Sequence, residues 1–476
     1  MAAPTPYATA ESAVYELVAR GNKDQYFYAD KKDSLFIFDN RYEAQAPFTS
    51  EIRRVPPHTA CDFGRTANFE FDLVGDIMTN PTLIINLPTW LPPTVASTNS
   101  KTLVSDTNGV TYGYTNGIAY FLFEQIEFYQ DNILLQEFSG DALWAVSMPK
   151  GTYSSSHVTN LLTGQHSGSP IDIGRAATPG QLRLELPILG CQTTSDTGFP
   201  QRAVLSHSYR LRCKIRKLED LVEASDGRMK PQPWGRIFQQ TSAPNTPANP
   251  FNTLVRSDIA PLNLQLETRQ VYIPRELQDM IQKTPQHIQF HRLHENIFTQ
   301  NQLDYSNVVS GGTSLIKRLI DGRHPAERII WFFRSMKDVN ANQLWKINTG
   351  IPGSQSYYNN VNFQVAGKDR ELPRAPFIWR DITNFAKEQI DTRAELYTMN
   401  WGLGSIAPKQ FPGHDGQTTG SVNFTTADRP TFYINLTQPP IDPQTGAPNT
   451  QLYVIVEGWA QFDTDGKGRA ELFNAN

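Results

Sequence analysis

Ile118-Ala-Tyr-Phe-Leu-Phe-Glu-Gln-Ile-Glu-Phe-Tyr129, then Gln130-Asp-Asn132, then Ile133-Leu-Leu-Gln-Glu-Phe-Ser-Gly-Asp-Ala-Leu-Trp144 is the stretch whose reading decides the fold. It opens almost fully apolar and then alternates, with Glu124, Ile126 and Phe128 stepping through Gln125, Glu127 and Tyr129. Period two is the signature of a half-buried strand. Asp131-Asn132 reads as a turn, because short Asx side chains tolerate left-handed backbone angles. Ile133 to Phe138 is apolar again. The spacing predicts a hairpin of long strands, its apolar end buried inside a β-sandwich. Nothing in it looks like misplaced catalytic chemistry.

The rest of the chain repeats this pattern. Its 476 residues exceed one ordinary core and predict two domains of about 200 residues each, or three smaller ones. Charged residues are only 19%, aromatics reach 11% and there are 33 prolines, a balance that suits strands and ordered loops better than helices. The net charge of -4 argues against a protein that coats nucleic acid, which would be strongly basic. Three cysteines (Cys61, Cys191 and Cys213) make no disulfide framework and read as reduced thilols of a chain maturing in a cytosol. Met1 to Tyr7 lacks the basic flank and apolar run of a signal peptide. No run of about 18 apolar residues is present to span a membrane.

Glu11 to Arg20 places Val14, Leu17 and Val18 at helical spacing before Gly21, which predicts one short N-terminal helix. Strands are expected at Ser34–Phe38, Asn68–Leu73, Thr82–Leu87, Leu182–Leu186 and most clearly at Val204–Arg216. That last segment sets Leu205, His207, Tyr209, Leu211, Cys213 and Ile215 on one face. Lys217–Glu223 and Arg275–Ile281 read as short helices. The Pro- and Asn-rich run Gln239–Asn252 reads as a linker. A second β series holds Leu262–Leu266, Arg328–Phe333, Thr431–Leu436 and Leu452–Val456. Lys150–Gly180, Val339–Arg380 and Trp401–Gly420 read as long loops. With no strand–helix–strand alternation, two tandem β-sandwiches explain the inventory best.

Candidate chemistry is sparse. His287, His291 and His294 would gather for zinc on a helix, but Ile288-Gln-Phe290 favours a strand, which separates them. Glu124/Glu127 and Asp463/Asp465 are acidic pairs of the kind a glycosidase needs, with nothing to single them out. Cys213, on an apolar strand face, reads as packing. Arg210, Arg212, Lys214 and Arg216 form a basic stripe. It is either a solvated face or a contact with a subunit or an anionic surface. Asn423 and Asn435 head Asn-x-Thr glycosylation patterns. No catalytic, cofactor or metal residue is assigned.

An ordered series of motifs resembles one family. Leu17-Val-Ala-Arg-Gly21 with Asp24-Gln-Tyr-Phe27, Ser34–Phe38, Gly75-Asp76, Leu83–Pro88, the Ile118–Trp144 segment, Leu186-Pro-Ile188, and Phe199-Pro200 with Ala203–Lys217 follow its order. In the second half Arg323-His-Pro325, Ile329-Ile-Trp331 and Gly420-Ser-Val-Asn-Phe424 continue it, with Arg323 in place of the family's Asn. The chain thus resembles the double jelly-roll major capsid proteins of nucleocytoplasmic large DNA viruses. The resemblance implies an all-β chain of two tandem eight-stranded antiparallel jelly rolls with short helices and long loops. It places an N-terminal arm with its helix at 1–24, the first roll at 25–224, a linker at 225–258 and the second roll at 259–476. It also implies pseudo-hexagonal homotrimers that build an icosahedral virion shell, assembled in host cytoplasm. The expected partners are itself, neighbouring capsomers, minor capsid and penton proteins, and inner membrane proteins, with no direct nucleic-acid contact, no cofactor and no enzymatic activity. Two alternatives stand beside it. One is a β-sandwich carbohydrate-binding or glycoside-hydrolysing protein using Tyr357, Tyr358 and Trp401. The other is a minor capsid or spike protein of the same virus class.

Overall fold

The computed structural model describes residues 47–88, 104–105, 111–147, 163–164, 181–191, 198–229, 261–303, 314–323, 325–347, 356–383, 396–402, 420–426, 429–437 and 449–473. The expected N-terminal helix, the Ser34–Phe38 strand, the Gln239–Asn252 linker and most of the Lys150–Gly180 loop lie outside those residues.

Among the described residues, sixteen of the 21 strands build the two sandwiches. The first eight are β1 (Thr49–Val55), β2 (Thr66–Glu70), β3 (Ile77–Asn86), β4 (Phe123–Gln130), β5 (Ile133–Phe138), β6 (Gln181–Glu185), β7 (Tyr209–Ile215) and β8 (Asn263–Tyr272). They form two antiparallel four-stranded sheets, ordered β1-β8-β3-β6 and β2-β7-β4-β5. The next eight are β9 (Gln286–Phe298), β10 (Ser314–Leu319), β11 (Pro325–Ser335), β12 (Tyr358–Val365), β13 (Lys368–Arg374), β14 (Tyr397–Asn400), β15 (Thr431–Leu436) and β16 (Thr450–Thr464). Their sheets run β9-β16-β11-β14 and β10-β15-β12-β13. Counted from its own first strand, the second half repeats the order of the first. Each half is therefore one jelly roll, an eight-stranded sandwich wound so that its first and last strands are neighbours.

This topology moves the domain boundary. Leu262–Leu266 was expected to open the second domain, starting at 259. Instead β8 pairs with β1 through Thr49↔Tyr272 to Val55↔Leu266, and with β3 through Asn263↔Asn86 to Val271↔Ile77. It is the closing strand of roll one, so a boundary at 259 would cut β8 from the sheet it completes. The rolls meet at helix α3 (Arg275–Lys283), which has no buried residue. A Leu-x-Leu alternation states that a strand has one buried face. It does not state which sheet supplies its neighbours.

The hairpin forms as read, but shorter. β4 and β5 pair around Asp131, whose φ of 50° supplies the left-handed turn residue. The flanking apolar ends are not strand. Ile118–Phe121 is a helical turn (α1) and Gly140–Ser147 a helix (α2), both lined with buried residues. Gly117 enters α1 at φ 73°, and the Ser139 hydroxyl accepts the Ala142 N–H at 2.9 Å at the start of α2. Gly140 is required there: a Cβ would lie 2.3 Å from the Tyr120 carbonyl oxygen and 2.4 Å from that of Phe123. Continuous apolarity therefore marks burial on all sides, which a helical turn between layers satisfies as well as a strand. Val339–Arg380, expected as a loop, contains the hairpin β12–β13, whose second strand is largely exposed. Lys217–Glu223 is only a 3-10 turn at Leu218–Asp220, followed by a strand at Val222–Ala224.

Phe121 is fully buried and packs its ring 5.6 Å from that of Trp144. Phe121→Ala should cost about 3–5 kcal/mol through lost burial and the cavity left behind. Urea unfolding followed by circular dichroism measures it, and a cost under about 1 kcal/mol would contradict this placement.

Candidate functional site

The most heavily built feature is the seam between the rolls. Along β11, Ile329, Trp331 and Phe333 point into roll two's own core, whereas Ile330 and Phe332 join the apolar cluster that fills roll one. β16 divides the same way, with Leu452, Val454 and Val456 inward and Tyr453 and Ile455 at the seam. The sheet β9-β16-β11-β14 is thus covered on both faces, and this explains why Arg328–Phe333 carries no exposed side chain. Roll one meets it with α1, α2 and β5. Trp144 sets its ring edge-on to Phe332 at 6.1 Å, and Phe199 lies 6.3 Å from Phe462.

A buried ion cluster pins this apolar contact. Arg334, 1% exposed, donates from Nη1 to Asp141 Oδ1 at 2.8 Å, while Arg216 donates to Asp141 Oδ2 at 3.0 Å. The Arg334 guanidinium also lies over the rings of Tyr453 (4.8 Å), Phe332 (5.2 Å) and Phe121 (5.9 Å), drawn by their negative faces. Burial alone would raise the Asp141 pKa. The charges of Arg334 and Arg216 outweigh it and hold the carboxyl below its ordinary value. Asp141 belongs to roll one and Arg334 to roll two, so the pair fixes the register of one roll on the other.

Three further ties cross the seam. The fully buried Gln136 donates from Nε2 to the His291 carbonyl at 2.9 Å and accepts the Leu189 N–H on Oε1 at 2.7 Å. Its amide thereby closes the facing edges of β5 and β9, which would otherwise leave strand groups unpaired. Asn342, at φ 61°, donates to the carbonyls of Glu219 and Val222, both at 2.7 Å, and Trp345 donates its indole N–H to Glu223 at 2.8 Å. At the far end, Gln130 Nε2 donates to the Ala470 carbonyl at 2.7 Å, and the Ala470 N–H donates to His207 Nε2 at 3.2 Å. His207 Nδ1 meets Asp131 at 2.7 Å, and Ser208 Oγ donates to the same carboxylate at 2.9 Å. This Asp–His–Ser set is not a hydrolytic triad. The serine bonds the acid rather than the imidazole, and the second ring nitrogen already holds a backbone N–H.

The residues singled out from sequence fall mostly into structure. Arg212 faces Glu127 at 3.4 Å, Lys214 meets Glu124 at 2.9 Å, and Arg210 lies over the Tyr129 ring at 4.9 Å. With Arg216 on Asp141, the basic stripe is a ladder in which the acids of β4 and α2 answer the cations of β7. His287, His291 and His294 lie on β9, where His287 and His291 stand about 13 Å apart along the strand. His287 pairs with Asp463 and the buried His291 with Glu457, each at 2.7 Å. Among the described residues no group of His, Cys, Asp or Glu is arranged to hold a metal ion. Glu457 also binds Arg328, and Glu327 accepts the Trp459 indole N–H at 2.8 Å. Glu457 is 1% exposed and Arg328 is wholly buried, so this His–Glu–Arg chain offers no access to a substrate. Asp465, exposed at a turn, accepts the Lys467 and Arg469 N–H groups at 2.7 and 3.0 Å. Tyr357 and Tyr358 are buried in roll two's core, and Trp401 packs on Phe363 at 5.3 Å, so these aromatics do not form a sugar-binding platform. Burial raises the Cys61 thiol to about 11 and Cys191 to about 12, and pushes Cys213 up as well. Asn423 is exposed at the end of the short strand Val422–Asn423, just before a turn, its Oδ1 accepting the Thr425 N–H at 2.9 Å. Asn435 sits inside β15, paired on both sides. The signal that sequence reading passed over is Arg328 and Arg334 bracketing an apolar strand, a place where cations must find buried acids.

No protein-family model matches the chain, and no curated protein matches it. Solved structures do. The capsid protein VP54 of PBCV-1, fitted into a reconstruction of the Sputnik virophage, is 13% identical, with 93% of this chain and 100% of that one covered at a TM-score of 0.67. The PBCV-1 capsid quasi-atomic model gives 0.66 at the same identity and coverage. The Faustovirus major capsid protein gives 0.57 at 13% identity, covering 90% of this chain and 92% of that one. The chain has the double jelly-roll fold of these capsid proteins. The full coverage of VP54 means that both rolls and the seam between them lie within the shared fold.

Removing one partner of a buried pair leaves an uncompensated charge, which costs about 3–5 kcal/mol. Asp141→Asn and Arg334→Met should each destabilise by that amount. The double variant should cost clearly less than the sum, as read from chemical denaturation in a double-mutant cycle. Additive losses would show that the two side chains do not interact.

Proposed function

We propose that the protein is a major capsid protein, a structural subunit that assembles with itself into homotrimers of pseudo-hexagonal outline and then into an icosahedral shell. The observation that carries this reading is the repeated strand order. Two rolls of one topology, locked side by side, give a chain two similar halves, so three copies present six similar lobes around one axis. The shared fold with capsid proteins of large DNA viruses supports the same reading. The charged and polar groups at the seam hold the rolls together, which suits a protein that works through shape. Minor capsid and penton proteins, inner membrane proteins and assembly in host cytoplasm belong to this proposal as partners and place.

Arg210, Arg212 and Lys214 remain a proposed contact surface of a restricted kind, whereas Arg216 is committed to the seam. Because acids or a ring already answer them, a neighbour docking there would meet a nearly neutral, wet surface rather than an anion-binding one. Of the two glycosylation patterns, Asn423 has the geometry for modification, since Asn435 is held in a central strand.

Purified protein should sediment or scatter light as a particle three times the 53.6 kDa chain mass. Negative-stain images should show hexagonal outlines. A stable monomer at all concentrations would overturn the capsomer reading, including that of a trimeric spike.

A further inference from the structure

Two carboxylates at the seam have no role in the ionic tie described above. Glu223 of roll one is fully buried in the Val222–Ala224 strand, beneath the segment Ala341–Ile347 of roll two. Trp345 donates its indole N–H to it, and the groups that face it are Lys346, Thr115 and Asn116. Glu295 of roll two lies on β9, half-buried beside Ser139 and Asp141 of roll one. The charged groups around it are Asp141, Arg334 and Arg216, with Tyr453 also within electrostatic reach. Arg334 and Arg216 bond Asp141 directly, and Glu295 stands beside that carboxylate as the second acid of the cluster. Each of the two glutamates thus sits against the opposite roll, in a place that disfavours a negative charge.

We propose that Glu223 and Glu295 form a pH-sensitive latch between the rolls, closed while both are protonated and loosened when they ionise. Burial is the main cause in both cases. It outweighs the Trp345 hydrogen bond at Glu223, and at Glu295 the neighbouring Asp141 adds to it, so each carboxyl is pushed up to about 7. The sign follows from linkage. A carboxyl whose pKa is raised by folding binds its proton more tightly in the folded chain. Its stabilisation is complete below the ordinary carboxylate value of 4.5 and is lost as pH rises through about 7. The two sites act together because both lie on the one surface that joins the rolls. The device would loosen the subunit on passing to mildly alkaline solution while leaving the core of each roll untouched.

The test is made on the isolated full-length chain, so it does not depend on capsid assembly. Between pH 5 and pH 8 the melting temperature of the wild type should fall by about 5 °C. Amide exchange in 139–143, 222–224 and 341–347, corrected for its intrinsic pH dependence, should accelerate about tenfold, with β12 and β15 unchanged. E223Q/E295Q should remove most of both effects, since each glutamine keeps the neutral shape at every pH. A flat wild-type profile over this range overturns the proposal, as does a double variant that keeps the full wild-type drop. If the variant fails to fold, acceleration spread evenly over both rolls in the wild type overturns it as well.

Discussion

Everything in this molecule depends on covering the second face of one sheet. The sheet β9-β16-β11-β14 has an apolar face for its own roll and another for its neighbour, and each exposed Phe or Tyr on the latter would cost about 1.5–3 kcal/mol of lost burial. Roll two cannot leave that face in water, and roll one supplies the lid with α1, α2 and β5. The Arg334–Asp141–Arg216 cluster then selects a single docking register, because any slide would strand a buried charge. Apolar area provides the affinity of one roll for the other, and the ion cluster provides its specificity.

This division of labour explains why polar groups that resemble chemistry are not arranged for it. His291, Glu457 and Arg328 form a compact charged chain, and Asp131, His207 and Ser208 hold the three residue types of a hydrolase. The first set is buried, and the second lies at the surface with its bonds joining protein groups to one another. The first stiffens the double-faced sheet, and the second fastens the Ala470–Phe473 strand of roll two to the turn of roll one's central hairpin. A packed protein interior keeps its buried polar groups satisfied internally. The repeated strand order and the likeness to PBCV-1 and Faustovirus capsid proteins belong to the same picture of a rigid two-lobed block.

Much of the fold was legible in the sequence, for local reasons. The alternation in β4 and β7 and the turn at Asp131 are short-range signals, and they appear where the spacing put them, except that β7 begins at Tyr209 rather than Val204, because 201–204 forms a 3-10 turn that leaves Leu205 exposed. What the sequence hid was long-range. The pairing of β8 with β1 joins residues more than two hundred positions apart, and β1 itself (Thr49-Ser-Glu-Ile-Arg-Arg-Val55) is an exposed polar edge without alternation. The helices α1 and α2 were hidden because their apolar runs satisfy strand and helix alike. The basic stripe was legible as a stripe, but its neutralisation by Glu124, Glu127 and Asp141 required the register of β4 on β7. The seam was missed for the same reason: Asp141 and Arg334 are ordinary charges until the two rolls are placed together.

The central claim is that buried surface at the seam, rather than the connecting peptide, makes the two rolls one body. The connection runs through α3, which has no buried residue and begins with the exposed Arg275 and Glu276, so it can be cut there without opening either core. A protease site placed within Arg275–Lys283, followed by complete cleavage, tests the claim on native gel filtration. The account predicts that the nicked protein elutes as the intact one does and melts in a single transition. Two separately folded halves that part without denaturant would contradict it.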